Sequence, residues 1–408
     1  MEIQQDKCSK VVLLNDQYNY KIHNHVENNF SICNKKVKKL KNHNQFFLFF
    51  FRFKQLFYNL KKYYEFSNEN IFNYIPLTFH IKNGIDDLEW IKFIQYYNEI
   101  QDDKKQQNIW IIKPGEQTNR GNGIQVLQKL SDIQEIIYQN KYHENGRKKT
   151  YLIQKYIEKP FLFNKRKFDI RCYLLITTYN GLIKGYWYQE GYLRTSSKEF
   201  NLKNLENKFV HLTNDAIQKK SEEFGKFEIG NKLSFNEFQR YLDFLGQNKQ
   251  FNFIKKTQQE MKVIFLQKIK IKKKKKIACD IVKSVYKKIQ PNKSQFSFEL
   301  FGLDFMIDSN FKTWLIEANS NPCLQTNCLL LSRIITNLLD NTFKIAVDPL
   351  FPPLNIPKSK NYLIPLNAYE SNKFELIFDD QNDGKKLAGF ECESIFLFSI
   401  YHWFFKQS

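Results

Sequence analysis

Three side chains with hard oxygen donors stand at spacings that a β-hairpin brings together: Asp304, Glu317 and Asn319, within FGLDFMIDSNFKTWLIEANSNP at residues 301–322. Apolar residues bracket a polar break at Asp308, Ser309 and Asn310, the signature of two strands and a tight loop. With residues 309–312 as the loop, Asp308 faces Thr313 and Asp304 faces Glu317. Opposite residues of an antiparallel pair share a face, with Cβ atoms roughly 5 Å apart, and period two adds Asn319 to that face. Carboxylate and amide oxygens suit Mg²⁺, which takes one or two carboxylates and fills its octahedron with water and nucleotide phosphates. The competing reading is a surface hairpin with solvated acids. Glu317 weighs against it, because it interrupts the apolar run Trp314, Leu315, Ile316 and Ala318, where an unpaired charge is costly.

A second set of polar groups lies upstream. IWIIKP (109–114) reads as a short strand, GEQTNRGNG (115–123) as a glycine loop and IQVL (124–127) as a second strand. Strand, loop and strand make a hairpin flap; a P-loop or a dinucleotide fingerprint runs from strand to helix, so neither fits. The N–H groups of Gly121 and Gly123, with Arg120 beside them and Lys113 ending the first strand, can fold over triphosphate oxygens. An ordinary hairpin turn is the alternative. In RKFDIR, period two puts Lys167, Asp169 and Arg171 on one face of a strand and Phe168, Ile170 and Cys172 on the other. Such a charged face is either solvated or the wall of a site that handles phosphate and carboxylate.

These groups need strands to carry them and a core to hold the strands. YLIQKYIEKP (151–160), DIRCYLLITT (169–178) and GLIKGYWYQEGYL (181–193) are strand-like, as is the segment from Leu77 to Ile81 after Pro76. Phe53, Leu56, Phe57, Leu60 and Tyr64 recur at helical spacing, and the pattern is again mostly helical from Phe235 to Lys288. A chain of 408 residues with 42% hydrophobic and 26% charged residues can bury a sizeable core in two or three units, which excludes a disordered tail. Its formal charge of +21 favours a polyanionic partner: nucleic acid, an anionic membrane or an acidic protein tail. Lysine-rich runs at Lys35–Lys41 and Lys268–Lys276 account for part of it. The second run reads equally as a solvated loop, a basic docking patch or a product of faulty gene prediction. Seven cysteines without C-x-x-C spacing point to free thiols in a reducing compartment and away from zinc. No secretory signal is expected from the polar opening residues, and FFLFFF (46–51) is too short to span a bilayer.

Several segments together resemble the catalytic domain of the tubulin tyrosine ligase family: QKYIEKPFLFNKRKFDIRCYLL, GYLRTSS, HLTNDAIQKKSEEFGKFEIGN, FELFGLDFMID and WLIEANSNP, in order and nearly in spacing. The resemblance covers roughly residues 55–350 and implies an α+β (α/β) ATP-grasp fold, with two lobes clasping ATP and an additional N-terminal lobe. The divisions it suggests are an N-terminal lobe at 1–105, a central lobe at 106–190, a C-terminal lobe with the Mg²⁺ site at 191–350, and an unassigned tail at 351–408. It implies ATP and Mg²⁺ as cofactors and a free amino acid joined to a carboxylate of tubulin through an acyl-phosphate. On this resemblance Lys113 contacts the nucleotide phosphates, Gln154, Lys155, Tyr156 and Ile157 run along the adenine with backbone groups reading its edge, and Lys167 and Asp169 make further nucleotide contacts. Thr213 and Asn214 lie near nucleotide and substrate, Asp304, Glu317 and Asn319 are the magnesium ligands, and Arg171 and Arg194 hold the acceptor and the intermediate. GYLRTSS and the HLTN to GKFEIGN block lean toward the tyrosine ligase itself, with glutamylases, glycylases and an inactive microtubule-binding protein as alternatives. The implied partners are the acidic C-terminal tails of tubulin or microtubules, with no nucleic acid and no membrane. The implied location is the cytoplasm and cytoskeleton, including cilium or basal body. Asn122 departs from the family pattern, where a longer polar or charged residue is common, and the first 50 residues and the aromatic end FLFSIYHWFF have no clear counterpart.

Overall fold

The structure, a computed structural model, describes residues 53–102, 107–115, 121–139, 142–143, 146, 148–246, 277–289, 297–320, 322–349, 372–387 and 389–390. Arg120, the first 50 residues, the lysine run at 268–276 and the aromatic end lie outside the described residues. The described part is α+β, built on two antiparallel sheets. Its first stretch contains α1 (Phe53–Phe66), β1 (Thr78–Ile81), α2 (Leu88–Asp102), β2 (Trp110–Pro114), β3 (Gln125–Leu127), α3 (Leu130–Gln139) and β4 (Tyr151–Lys155). Then come β5 (Leu162–Phe163), β6 (Arg166–Tyr179), β7 (Leu182–Tyr188), β8 (Tyr192–Glu199), α4 (Lys208–His211), α5 (Asp215–Gln218), β9 (Lys232–Ser234) and α6 (Phe235–Phe244). The remainder is α7 (Ile277–Ile289), β10 (Ser297–Ile307), β11 (Thr313–Asn319), α8 (Leu329–Ala346), β12 (Phe374–Asp379) and α9 (Asp380–Asp383).

The first sheet runs β1-β4-β2-β3. Period two divides its faces. Phe79, Ile81, Trp110, Ile112, Tyr151 and Ile153 point one way and are buried under Trp90, Phe93 and Tyr97 of α2 and Ile133 and Ile137 of α3. Thr78, Lys113 and Gln154, at the intervening positions, share the opposite face and are hydrogen-bonded to one another in sequence.

The second sheet runs β11-β10-β6-β7-β12, with β5 and β8 also paired to β6 and β9 paired to β8. β6 is its spine. Phe168, Ile170, Cys172, Leu174 and Ile176 enter a core closed by α1, α6 and α7, whereas Tyr173 and Leu175 enter a second core closed by α8. The helical spacing expected from Phe53 to Tyr64 is present in α1, which buries Leu56, Phe57, Leu60, Tyr63 and Tyr64; α8, for which no helix was expected from the sequence, buries Leu331, Ile334, Ile335 and Leu338. Each such side chain contributes roughly 1.5–3 kcal/mol by leaving water, and truncating the fully buried Phe238 to Ala should cost about 3–5 kcal/mol. The face of β6 that is apolar at Tyr173 and Leu175 carries Lys167, Asp169 and Arg171 nearer its start, so a charged floor continues directly from the second core. β12, from the segment left unassigned in sequence, pairs with β7.

The hairpin of β10 and β11 differs from the expected register. Ile307, not Asp308, faces Thr313, so the loop is 308–312. The reason is local: Asp308 folds its carboxylate into the loop, where Oδ1 accepts the N–H groups of Asn310 and Lys312 at 2.9 and 3.0 Å and Oδ2 accepts from the Trp314 indole at 3.0 Å. A one-residue shift between Asp304 and Phe305 then restores the pairing of Asp304 with Glu317. Cys172, Cys279, Cys323 and Cys328 are free thiols. Among the described residues no helix is long and apolar enough to cross a membrane.

Candidate active site

Strand pairing alone brings most of the charged groups together. Asp304 on β10 lies beside Arg171 on β6 and Glu317 on β11, while Asp169 on β6 lies beside Arg194 on β8. Arg171 grips Asp304 with two parallel bonds, Nε to Oδ1 at 2.5 Å and a terminal nitrogen to Oδ2 at 3.0 Å. Arg194 grips Asp169 in the same way at 2.6 and 2.7 Å and also reaches Asp304 at 2.8 Å. Thr213 donates to Asp169 at 2.5 Å. Two arginines and two aspartates thus form one buried layer with alternating sign.

At its open side stand Glu317 and Asn319, both half-buried. The Asn319 amide donates to Glu317 at 2.9 Å and to Asp304 at 3.3 Å. Burial tends to raise the Asp304 carboxyl, but Arg171 and Arg194 outweigh it and hold the group well below the carboxylate range. Glu317 is pushed up to about 7, first by burial and then by the charge of Asp304. Two carboxylates pressed together share a proton when no cation lies between them. Two carboxylates and an amide oxygen are donors of the kind Mg²⁺ takes, so the residues fit that ion. Among the described residues, no group of three or more His, Cys, Asp and Glu side chains is disposed to hold a metal, so an ion here would depend on the Asn319 amide.

The first sheet supplies the opposing cation. Lys113 Nζ donates to Gln154 Oε1 at 2.9 Å, and Gln154 Nε2 donates to Thr78 Oγ1 at 2.8 Å. Burial brings the Lys113 ammonium down to about 8, opposed by the nearby charges of Glu317 and Asp304. Lys167 is brought down to about 7 by burial, with Asp169 opposing and Lys113 adding to the effect. Gly121 and Gly123 take φ of +78° and +72°, which favours glycine. A Cβ on Gly121 would lie 2.7 Å from Ile217 Cδ1 and 3.2 Å from Asn214 Oδ1, so Gly121 packs closely against α5 and Asn214.

In the segment expected along the adenine, the side chains of Gln154 and Lys155 are engaged within the chain, which leaves their backbone groups for that role. The Lys155 ammonium donates to the carbonyls of Gln107 and Ile109 at 2.7 and 3.3 Å and pairs with Glu158. The Gln154 side chain is spent on Lys113. Tyr156 is buried with its hydroxyl between Lys167 and His211, and Ile157 follows it half-buried.

Sequence reasoning missed three features. His211 opens the HLTN segment that holds Thr213 and Asn214, so its place there was the available signal. Lys232 pairs with Arg194 along the β8–β9 ladder and with Asp215 by charge. Arg166 and Glu228 form a buried ion pair reinforced by Thr195, which donates to Glu228 at 2.9 Å; it anchors the loop leading into β9. Nothing in sequence spacing joins residues so far apart.

The model of the tubulin-tyrosine ligase family matches residues 13–353 of the chain. Tubulin glycylase 3D of Tetrahymena thermophila is 35% identical over 246 residues, covering 60% of this chain and 22% of the relative. The probable tubulin polyglutamylase TTLL2 of Mus musculus is 32% identical over 265 residues, covering 64% and 42%. The probable alpha-tubulin polyglutamylase Ttll1 of Tetrahymena thermophila is 27% identical over 318 residues, covering 77% and 69%. The chain spans about a fifth of the length of the Tetrahymena glycylases it matches.

Proposed function

Because the chain belongs to the tubulin-tyrosine ligase family, we propose that it is an ATP-dependent ligase that joins an amino acid to a carboxylate of a tubulin tail. Its two sheets act as the lobes of an ATP-grasp fold. Glycine and glutamate are the amino acids to test first, since the relatives named above are a glycylase and two polyglutamylases. What supports this above all is the continuity of charge from Glu317 and Asp304 through Arg171 and Arg194 to Asp169, with the ammonium of Lys113 opposite.

Amide formation from a carboxylate is uphill in water, so the carboxylate oxygen first attacks the γ-phosphorus and ADP leaves. The amine then attacks the acyl-phosphate carbonyl, and phosphate leaves. Charge gathers on phosphoryl oxygens, and the residues supply cations there. Lys113 and Lys167 neutralise the phosphates. Arg171 and Arg194 keep Asp304 ionised and present their remaining N–H groups toward the acceptor and the acyl-phosphate. Asp304, Glu317 and Asn319 would hold Mg²⁺, which would supply further neutralisation of phosphate charge.

Hydroxylamine traps an acyl-phosphate as a hydroxamate. With ATP, Mg²⁺ and tubulin but no amino acid, a hydroxamate on the tubulin tail is expected. ADP formation without any hydroxamate would rule out the acyl-phosphate route.

A further inference from the structure

One hydroxyl ties the first sheet to the second. Tyr156 directly follows β4, its N–H donates to the Ile109 carbonyl at 3.1 Å, and its ring is buried with Ile109 and Val126. The hydroxyl lies 3.1 Å from Lys167 Nζ on β6 and 2.9 Å from His211 Nδ1 at the end of α4. Valence settles the direction of each bond. An ammonium only donates, so Lys167 donates a hydrogen bond to the hydroxyl oxygen. Nε2 of His211 lies 2.9 Å from the Asn204 carbonyl, which only accepts, so Nε2 carries the hydrogen and Nδ1 the lone pair. The tyrosine therefore donates to Nδ1. Lys167 also donates to the His211 carbonyl at 2.7 Å and stands 4.6 Å from the centroid of the Tyr156 ring.

We propose that Tyr156 and His211 are positioning residues for Lys167, fixing its ammonium on the phosphate side of the site through the relay Lys167 to Tyr156 to His211 to the Asn204 carbonyl. This rests on Lys167 being a nucleotide contact, as read above. The relay supplies an acceptor that partly offsets the burial of a lysine with about 5% of its surface exposed. The charges that face it are Asp169 on its own strand, which favours the ammonium, and Lys113 on β2, which opposes it. Burial, followed by the charge of Lys167, keeps His211 neutral against the Asn204 bond, and only the neutral ring can accept from the tyrosine. Of the acceptors on Lys167, the hydroxyl alone is set by a side chain.

Tyr156→Phe keeps the ring and removes the hydroxyl. Binding of a fluorescent ATP analogue with Mg²⁺ to the full chain, titrated from pH 6 to 9, reads the effect. The variant should bind on the order of tenfold more weakly at neutral pH, because a hydrogen bond to a charged group is lost. The pH at which affinity falls on the alkaline side should move down, because removing an acceptor disfavours the ammonium. His211→Phe should behave alike, and His211→Gln, which offers an acceptor to Tyr156 and a donor to Asn204, should recover most of the affinity. Lys167→Ala separates the premise from the inference. If Lys167→Ala binds nucleotide as wild type does, Lys167 is not a nucleotide contact and the inference falls with it. If Lys167→Ala loses affinity while Tyr156→Phe and His211→Phe keep wild-type affinity and an unshifted pH profile, the positioning role is overturned.

Discussion

Glu317 stands opposite Asp304 because its strand holds one residue more than the partner strand. Phe305 pairs with Leu315, but Asp304 pairs with Glu317, which leaves Ile316 unmatched. In an unshifted ladder Asp304 would meet Ile316, and Glu317 would turn with Leu303 toward the apolar core. The bulge is what turns an ordinary hairpin into an acidic pair.

Replacing Glu317 by Gln removes the ligand charge with almost no change of shape. Ligation should fall by about 100-fold or more, the scale on which losing one electrostatic contact to the reacting phosphoryl slows an enzyme. Thermal stability should hold or rise, since a carboxyl pushed up to about 7 costs stability when ionised. Normal turnover would remove the acid pair from the chemistry.

Arg171 is as much a structural partner as a candidate clamp. Arg171→Met leaves Asp304 with an unpaired share of buried charge and should cost about 3–5 kcal/mol of unfolding free energy. Arg171→Lys keeps the charge but loses the two-pronged grip, so it should fall between Met and wild type. Urea unfolding midpoints in any other order would mean that the pair does not hold the site together.

The alternation of β6 was legible because each face is buried against a different neighbour, so period two has only one solution. The acid pair was also legible, although by way of a loop that the protein does not use. Asp308 turns its carboxylate into the loop, and the compensating bulge depends on packing of the whole strand, which local spacing does not carry. The relay through Tyr156 and His211 was illegible for another reason. Its members share no strand or helix, and only the approach of the first sheet to β6 and α4 brings them into contact.

Glu299 on β10 gives a pH dependence of stability. Burial raises its carboxyl from an ordinary 4.5 to about 8. The folded chain therefore holds a proton that the unfolded chain has lost, so this contribution is fully present below about 4.5 and is lost as pH rises toward 8. Glu299→Gln should match wild type in acid and become the more stable of the two as pH climbs to 9. Melting curves that differ by a constant amount at every pH would contradict it.

The charge of +21 should show in binding to an acidic tail. Microtubule co-sedimentation should weaken steeply between low and physiological salt, and replacing five lysines of the 268–276 run should reduce both the affinity and the salt slope. Single-turnover chemistry on a short tail peptide should stay nearly unchanged. Equal co-sedimentation at all salt concentrations would leave the run without a docking role.

The most direct measurement is intact-mass and peptide mapping of tubulin after incubation with the chain, ATP, Mg²⁺ and each of glycine, glutamate and tyrosine in turn. A ligase of this kind gives a tail peptide heavier by one or more residues of a single amino acid, with one ADP formed per residue added and no gain for Glu317→Gln. An unchanged tubulin mass with all three amino acids, from a chain that binds ATP, would contradict ligation of these amino acids to tubulin.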